Sequence, residues 1–418
     1  MKIGIQTWGS EGDIRPCIAL AAGLRAAGHD VTVLATHVEN RDYASEGRRY
    51  GVPVRSVGHL DSARLKETGE HLYSEKNVAR QFSLVLHGLL EPVSSDIFQA
   101  ARELCRESDL VIGHALVYPL RIAAEERDRP WVSLFPAPLL STRTFSPLGS
   151  NFGPVANRLL WRVADAVASR RMLPLINGAR RTAGRTCFRR GTDALRSPWL
   201  NIVAVSPSLV PDPVDWGEDI QLCGAFTLSA EVQDRQPSEI VERFLSTGPP
   251  PVYMTFGSMS AGDATFPATL ELFVAAARAA RCRAIVQTNG YPAPAGLEDV
   301  LFLDKAFHDE VFPRCAAVVH HGGAGTTHAA CRAGKPSIVV EHLLDQAFWG
   351  RMLRRAGVTP RLLHRRKVTA ASLGRAIAET LASPHLNDRA AALGVAMRKE
   401  DGVGEAVSLL EWHFARKE

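Results

Sequence analysis

Short apolar runs separated by amphipathic stretches recur along both halves of the chain. In the first half, runs at 3–7, 31–35, 52–57, 109–113 and 131–135 have the length and content of buried strands. Helical patterns separate most of them, such as Ile18 to Ala27, which stops at Gly28. The second half repeats the scheme near 252–256, 284–288, 300–303, 316–320 and 337–341. Buried strands alternating with helices imply parallel sheets with right-handed crossovers. The pattern therefore predicts an α/β chain of two doubly wound, Rossmann-like domains facing an interdomain cleft. Residues 207–220 are rich in Pro and Asp, and 229–240 are polar, which suits a boundary. The expected division is 1–220 for an N-terminal domain, 221–240 for a linker and 241–400 for a C-terminal domain. Residues 401–418, with helical periodicity from Gly404 to Ala415, are expected to pack back on the first domain.

Composition narrows the class. A length of 418 residues suits two domains, because single cores rarely grow past about 250 residues. No apolar run reaches the ~18 residues of a membrane span, and Lys2–Gln6 reads as a first strand rather than a signal peptide. Seven dispersed cysteines (17, 105, 187, 223, 282, 315 and 331) without a CxxC pair point to free thiols in a reducing cytoplasm and away from structural zinc. A formal net charge of +5 is too small to suggest a nucleic-acid partner.

Ligands of open parallel sheets bind beyond the carboxyl ends of the strands, so the chemistry is read there. His320-His321-Gly322-Gly323-Ala324-Gly325-Thr326-Thr327 follows one apolar run and precedes an Ala-rich helical stretch. A glycine-rich turn of this kind presents free amides and a helix dipole to a phosphate, and the histidines can add a donor. After the first strand, Asp13 in Gly9-Ser10-Glu11-Gly12-Asp13 is either a first-turn helix acid or a general base for an attacking hydroxyl. His114, at the end of the fourth run, is structural, or it bonds an acceptor or positions Asp13. In the second half, Phe256-Gly257-Ser258 can offer amides to an anion, and an aromatic ring in Ala306-Phe307-His308 can stack on a flat base. Asp345 and Gln346 open a helix with the carboxylate and amide that paired sugar hydroxyls require, and helix capping is the alternative for Asp345.

These residues resemble the nucleotide-sugar-dependent glycosyltransferases with two Rossmann-like domains, the GT-B type. The resemblance is especially to bacterial enzymes of antibiotic glycosylation, sterol glucosyltransferases and rhamnolipid-type rhamnosyltransferases. The likeness rests on the span from Phe307 to Cys315, the glycine turn, Ala333-Gly334-Lys335-Pro336 and Asp345 to Trp349, with the Gly9–Pro16 loop in the first half. It implies an inverting, metal-independent transfer of a hexose from a UDP- or dTDP-sugar to a hydroxyl of a largely apolar acceptor, such as a natural product, sterol or lipid. The nucleotide sugar is a cosubstrate, and no cofactor is implied. By the resemblance Asp13 is the base, alone or with His114, because the family's loop histidine is absent. His321 and the amides of Gly323, Gly325 and Thr326 hold the diphosphate, with Ser258 as a further contact. Phe307 and His308 line the base, and Asp345 with Gln346 holds the sugar. Glu341 and Leu344 stand where the family often has Pro and Gly, so the sugar is left open. An epimerase or hydrolase on this scaffold, or a non-catalytic partner of a transferase, is the alternative.

From Arg158 to Arg190 nine arginines face one acid, Asp165. With Leu159, Leu160, Val163 and Val167 this stretch is a solvated helix face, or a weak peripheral contact with anionic lipid or an acidic acceptor.

Overall fold

Continuous apolar runs do become buried parallel strands, in two separate sheets. The computed structural model describes residues 1–228, 239–257, 266–293, 298–304, 308–343 and 345–414. Two compact units result, Met1–Val232 with Glu400–Glu418, and Gln233–Lys399.

The first unit holds β1 (Lys2–Gly9), β2 (Asp30–His37), β3 (Val54–Ser56), β4 (Leu110–His114), β5 (Trp131–Phe135), β6 (Leu200–Val203) and β7 (Ile220–Leu222), in the order β3-β2-β1-β4-β5-β6-β7. Neighbours run parallel throughout, with Ile3 opposite Val31 on one side and Leu110 on the other. β6 and β7 are additions to the expected set. Residues 221 and 222, expected in the linker, pair with Ile202 and Val203, and Cys223 and Phe226 are buried in the core. The linker expectation is corrected there. Ile220-Gln221-Leu222 is too short an edge strand to show a periodicity, and the proline and aspartate just before it are stronger boundary signals.

The second unit holds β8 (Val252–Met254), β9 (Ala284–Gln287), β10 (Val300–Leu303), β11 (Ala317–His320), β12 (Ser337–Glu341) and β13 (Leu362–His364), in the order β10-β9-β8-β11-β12-β13. Alternate residues enter opposite cores. Val252, Met254, Val319 and Val340 pack under the helices Phe266–Ala280 and Ala370–Leu381, whereas Tyr253, Ile285 and Val318 meet Val311, Phe312 and Ala330 on the other face.

The final helix, Gly402–Phe414, drives Ala406, Val407 and Leu410 into the first unit's core, against the helix Glu11–Ala26. Glu400 fixes its approach by accepting hydrogen bonds from Ser206 Oγ and Ser208 N. Among the described residues, no helix is long and apolar enough to cross a membrane.

Each sheet reverses its winding once, between β1 and β4 and between β8 and β11. Loops leaving the two strands at such a point diverge and open a crevice at their carboxyl ends. Asp13, His114, Gly257 and the turn from His320 to Thr327, singled out for chemistry after β1, β4, β8 and β11, fall at these two places.

Candidate active site

In the first unit β1 ends at Gly9, Ser10 is the N-cap and the helix Glu11–Ala26 begins. Asp13, in the third helical position, reaches back so that Oδ2 accepts from Ser10 N at 2.8 Å and Ser10 Oγ at 3.0 Å. That is the capping role. Its other oxygen, Oδ1, lies 3.6 Å from Nε2 of His114 at the end of β4. The Nδ1 atom of His114 accepts the N–H of Leu116 at 3.2 Å, which leaves Nε2 as the nitrogen that presents a proton toward Asp13. Burial works against ionisation of Asp13, yet the hydrogen bond and charge of His114 with the two Ser10 donors outweigh it and hold the carboxyl below its ordinary value. The side chain keeps 27% exposure. An ionised, immobilised and accessible carboxylate can take a proton from a hydroxyl. Capping and base roles are therefore compatible, because they use different oxygens.

In the second unit β11 ends at His320 and the helix Ala324–Arg332 follows a turn at Gly322 and Gly323. The first intrahelical bond of the turn runs from Thr327 N to Gly323 O. The amides of Ala324, Gly325 and Thr326 precede it, and N-cap Gly323 has no side chain to satisfy them. His321 stands beside this helix start, its ring wedged between two glycines. A β-carbon on Gly257 would lie 2.5 Å from His321 Cε1, and one on Gly323 would lie 2.3 Å from Nε2. Its Nδ1 is buried and has no hydrogen-bond partner among the described residues. Burial, then the charge of His308, pushes His321 down to about 4, and burial with the neighbouring histidines pushes His320 down to about 3. Both rings are neutral near pH 7. A neutral imidazole and a row of open amides form a donor set of the kind that binds an anion.

Gly257 is itself pinned. Thr255 Oγ1 accepts from Gly257 N at 2.9 Å and donates to Gln287 Oε1 at 2.9 Å, which also takes the hydroxyl of Tyr253. Gln287 Nε2 donates to Asn289 Oδ1, and Asn289 Nδ2 donates to Gly257 O at 2.8 Å. A sequence shows glycine and small residues here but no sign of the network. His342 was not singled out either. It packs edge-on against Phe256, with centroids 4.4 Å apart, and against His321 at 6.5 Å. Burial and the charges of His321 and Arg365 press it well below the usual imidazole value.

The residues expected at a sugar and a base have mixed environments. Gln346 Oε1 accepts from His342 N at 2.7 Å and Leu343 N at 3.1 Å, so the carbonyl end of the amide shapes its own loop. Asp345 is the N-cap residue of the helix Gln346–Ala356 yet makes no capping side-chain bond, and its Oδ2 accepts from Trp349 Nε1 at 2.9 Å. His308 stacks on Phe312 at 4.3 Å. Ser258 and Phe307 lie outside the described residues, as does Leu344. Among the described residues, no group of three or more His, Cys, Asp and Glu side chains converges as metal ligands.

Residues 299–410 match the C-terminal domain family of erythromycin biosynthesis protein CIII-like proteins. Over 98% of its length the chain is 32% identical to O-mycaminosyltylonolide 6-deoxyallosyltransferase of Streptomyces fradiae, covering 97% of that protein. A sterol 3-beta-glucosyltransferase of Arabidopsis thaliana is 29% identical over 99% of the chain, which spans 66% of that longer relative. Two solved structures share the architecture. The glycotransferase of kitacinnamycin superposes with a TM-score of 0.70 at 18% identity, with 99% of both chains covered. Glycosyltransferase VinC, in complex with dTDP, gives 0.66 at 19% with both chains covered completely, 100% each. At such identities the structures speak for the fold.

Proposed function

We propose that this chain, which belongs to the nucleotide-sugar-dependent glycosyltransferases of antibiotic and sterol type with the GT-B fold, moves a sugar from a dTDP- or UDP-sugar to a hydroxyl of a largely apolar small molecule. The transfer inverts the anomeric centre and uses no metal. The observation that carries this reading is the uncapped start of the helix Ala324–Arg332 with His321 beside it. A diphosphate fits that donor set without a cation, because main-chain amides and an imidazole supply what a metal otherwise would. Ser258 is assigned as a further phosphate contact. Phe307 and His308 are assigned to the base, and Asp345 with the NH2 end of Gln346 to sugar hydroxyls.

The acceptor oxygen attacks the anomeric carbon as its proton passes to Asp13. The glycosidic bond to the nucleotide breaks, and the electron pair leaves with the diphosphate. His114, with Nε2 3.6 Å from Oδ1, holds Asp13 ionised before the step. The open amides and His321 stabilise the charge that grows on the leaving group. Removal of the base costs about 10² to 10⁴ in rate, and loss of one donor at the diphosphate about 10² to 10³.

The test is a panel of dTDP- and UDP-sugars with hydroxyl acceptors of the macrolide and sterol classes, with nucleotide release and product anomer followed in the presence of EDTA. Acceptor-dependent release of an inverted product is expected, and Asp13→Asn should lose most turnover while still binding nucleotide. Release without acceptor would assign a hydrolase instead, and full turnover by Asp13→Asn would remove that residue from the mechanism.

A further inference from the structure

We propose that the exposed face of the helix Pro154–Thr182 docks on an anionic lipid bilayer. The first half of the helix is fixed to its unit from one side only. Trp161 and Met172 are buried, Trp161 Nε1 donates to Phe145 O at 2.7 Å, and Asn157 Nδ2 donates to Arg143 O at 2.8 Å. The opposite side carries Val155 (84% exposed), Leu159 (59%), Val163 (55%) and Val167 at four-residue spacing, with Phe152 just ahead of the helix. Residues four apart stack along one face. This apolar sector covers no core.

The cations are arranged around it. At about 100° per residue, Arg158 and Arg162 follow one margin of the sector and Arg171 the other, with Arg170 on the face itself just beyond Val167. Past Pro174 the face closes, because Asn177 bonds to Phe188 and Arg181 to Cys187. Arg158, Arg162, Arg170 and Arg171 have no acidic partner among the described residues. Asp165, the one acid in the helix, is spent on Thr192 N and Oγ1. Arg180 does not belong to the face. It is buried and paired with Glu125 at 2.6 Å. An apolar strip with guanidinium groups along its margins matches an interface where aliphatic side chains enter the acyl boundary and arginines meet phosphates. The unbalanced positive charge selects an anionic surface over a neutral one.

The experiment is flotation of the full chain with phosphatidylcholine vesicles, with and without phosphatidylglycerol, at low and high salt. Binding is expected only with the anionic vesicles, and it should fade as salt rises. The combined variant Arg158→Gln, Arg162→Gln, Arg171→Gln should weaken it by about fivefold per arginine. Leu159→Ser with Val163→Ser should weaken it as well, with the melting temperature unchanged because the face is solvent-exposed. Absence of binding to anionic vesicles at low salt overturns the proposal, and so does binding indifferent to both variants. Concentration-dependent dimerisation that Leu159→Ser with Val163→Ser abolishes, without vesicle binding, assigns the face to a second copy and also overturns it. Turnover of soluble acceptors is read separately, so failure here leaves the transferase reading intact.

Discussion

The backbone of Gly257 closes on the ring of His321 so tightly that no β-carbon fits between them, since one would stand 2.5 Å from Cε1. The two residues follow β8 and β11, the strands that flank the reversal of the second sheet. Gly257 also has φ of +78°, where a side chain is strained. Gly257→Ala should therefore displace the imidazole as well as cost about 1–3 kcal/mol of stability. The expected result is a lower melting temperature, weaker nucleotide diphosphate binding and turnover reduced toward that of a variant lacking His321. Wild-type affinity in Gly257→Ala, measured by calorimetry, would show that the ring position is immaterial.

Asp13 is held ionised chiefly by His114, against its own burial. Removing the donor lets burial prevail, so the carboxyl rises and the acid limb of the kcat/KM profile moves to higher pH. His114→Leu should show that displacement, with turnover lost first at low pH. His114→Gln retains an amide donor and should keep the limb closer to wild type. An unmoved limb in His114→Leu would make His114 a core residue with no bearing on the base.

The unequal legibility of the chain has a physical basis. β4, β11 and β12 are short runs centred on Val and Ile and buried on both faces, and such runs announce a parallel sheet and hence the fold. β6, β7 and β13 hold three or four residues, too few for any period, and two of them are half-exposed edges. At the site, the turn around Gly323 is visible because glycines and a helix start are adjacent in sequence. The approach of His114 to Asp13 depends on two strands being neighbours, which spacing along the chain does not encode. Gln346 reads equally well as a sugar ligand or a loop clamp until the amides of His342 and Leu343 are seen on its carbonyl.

Buried neutral histidines make the second unit sensitive to acid. His320 and His321 have folded values of about 3 and about 4, while an unfolded imidazole titrates near ~6.5. The unfolded chain thus binds more protons across that window. Stability is complete above about pH 6.5 and falls with acidification by about 1.4 kcal/mol per pH unit for each such histidine. Asparagine can replace His320 while still offering an oxygen to Gly322 N, which His320 Nδ1 now accepts at 3.1 Å. Urea unfolding of His320→Asn should show a flatter loss of stability between about pH 6.5 and 4.5 than the wild type. Parallel curves would mean that His320 is not the titrating group.

Gln346 separates two roles that one side chain combines. Its carbonyl oxygen clamps the amides of His342 and Leu343, and its NH2 group is the end assigned to a sugar hydroxyl. Gln346→Leu removes both ends and leaves two loop amides without their acceptor, a loss of about 1–3 kcal/mol for each that remains buried and unsatisfied. Gln346→Glu restores the acceptor oxygen and removes only the donor. A purely structural role predicts that Gln346→Glu recovers both melting temperature and donor KM. A direct hold on the sugar predicts recovery of stability alone, with donor KM still raised and nucleotide diphosphate affinity near normal, because the diphosphate is gripped elsewhere. The second outcome is the expected one. Full recovery of KM by Gln346→Glu would confine Gln346 to its loop and leave Asp345 as the sugar ligand.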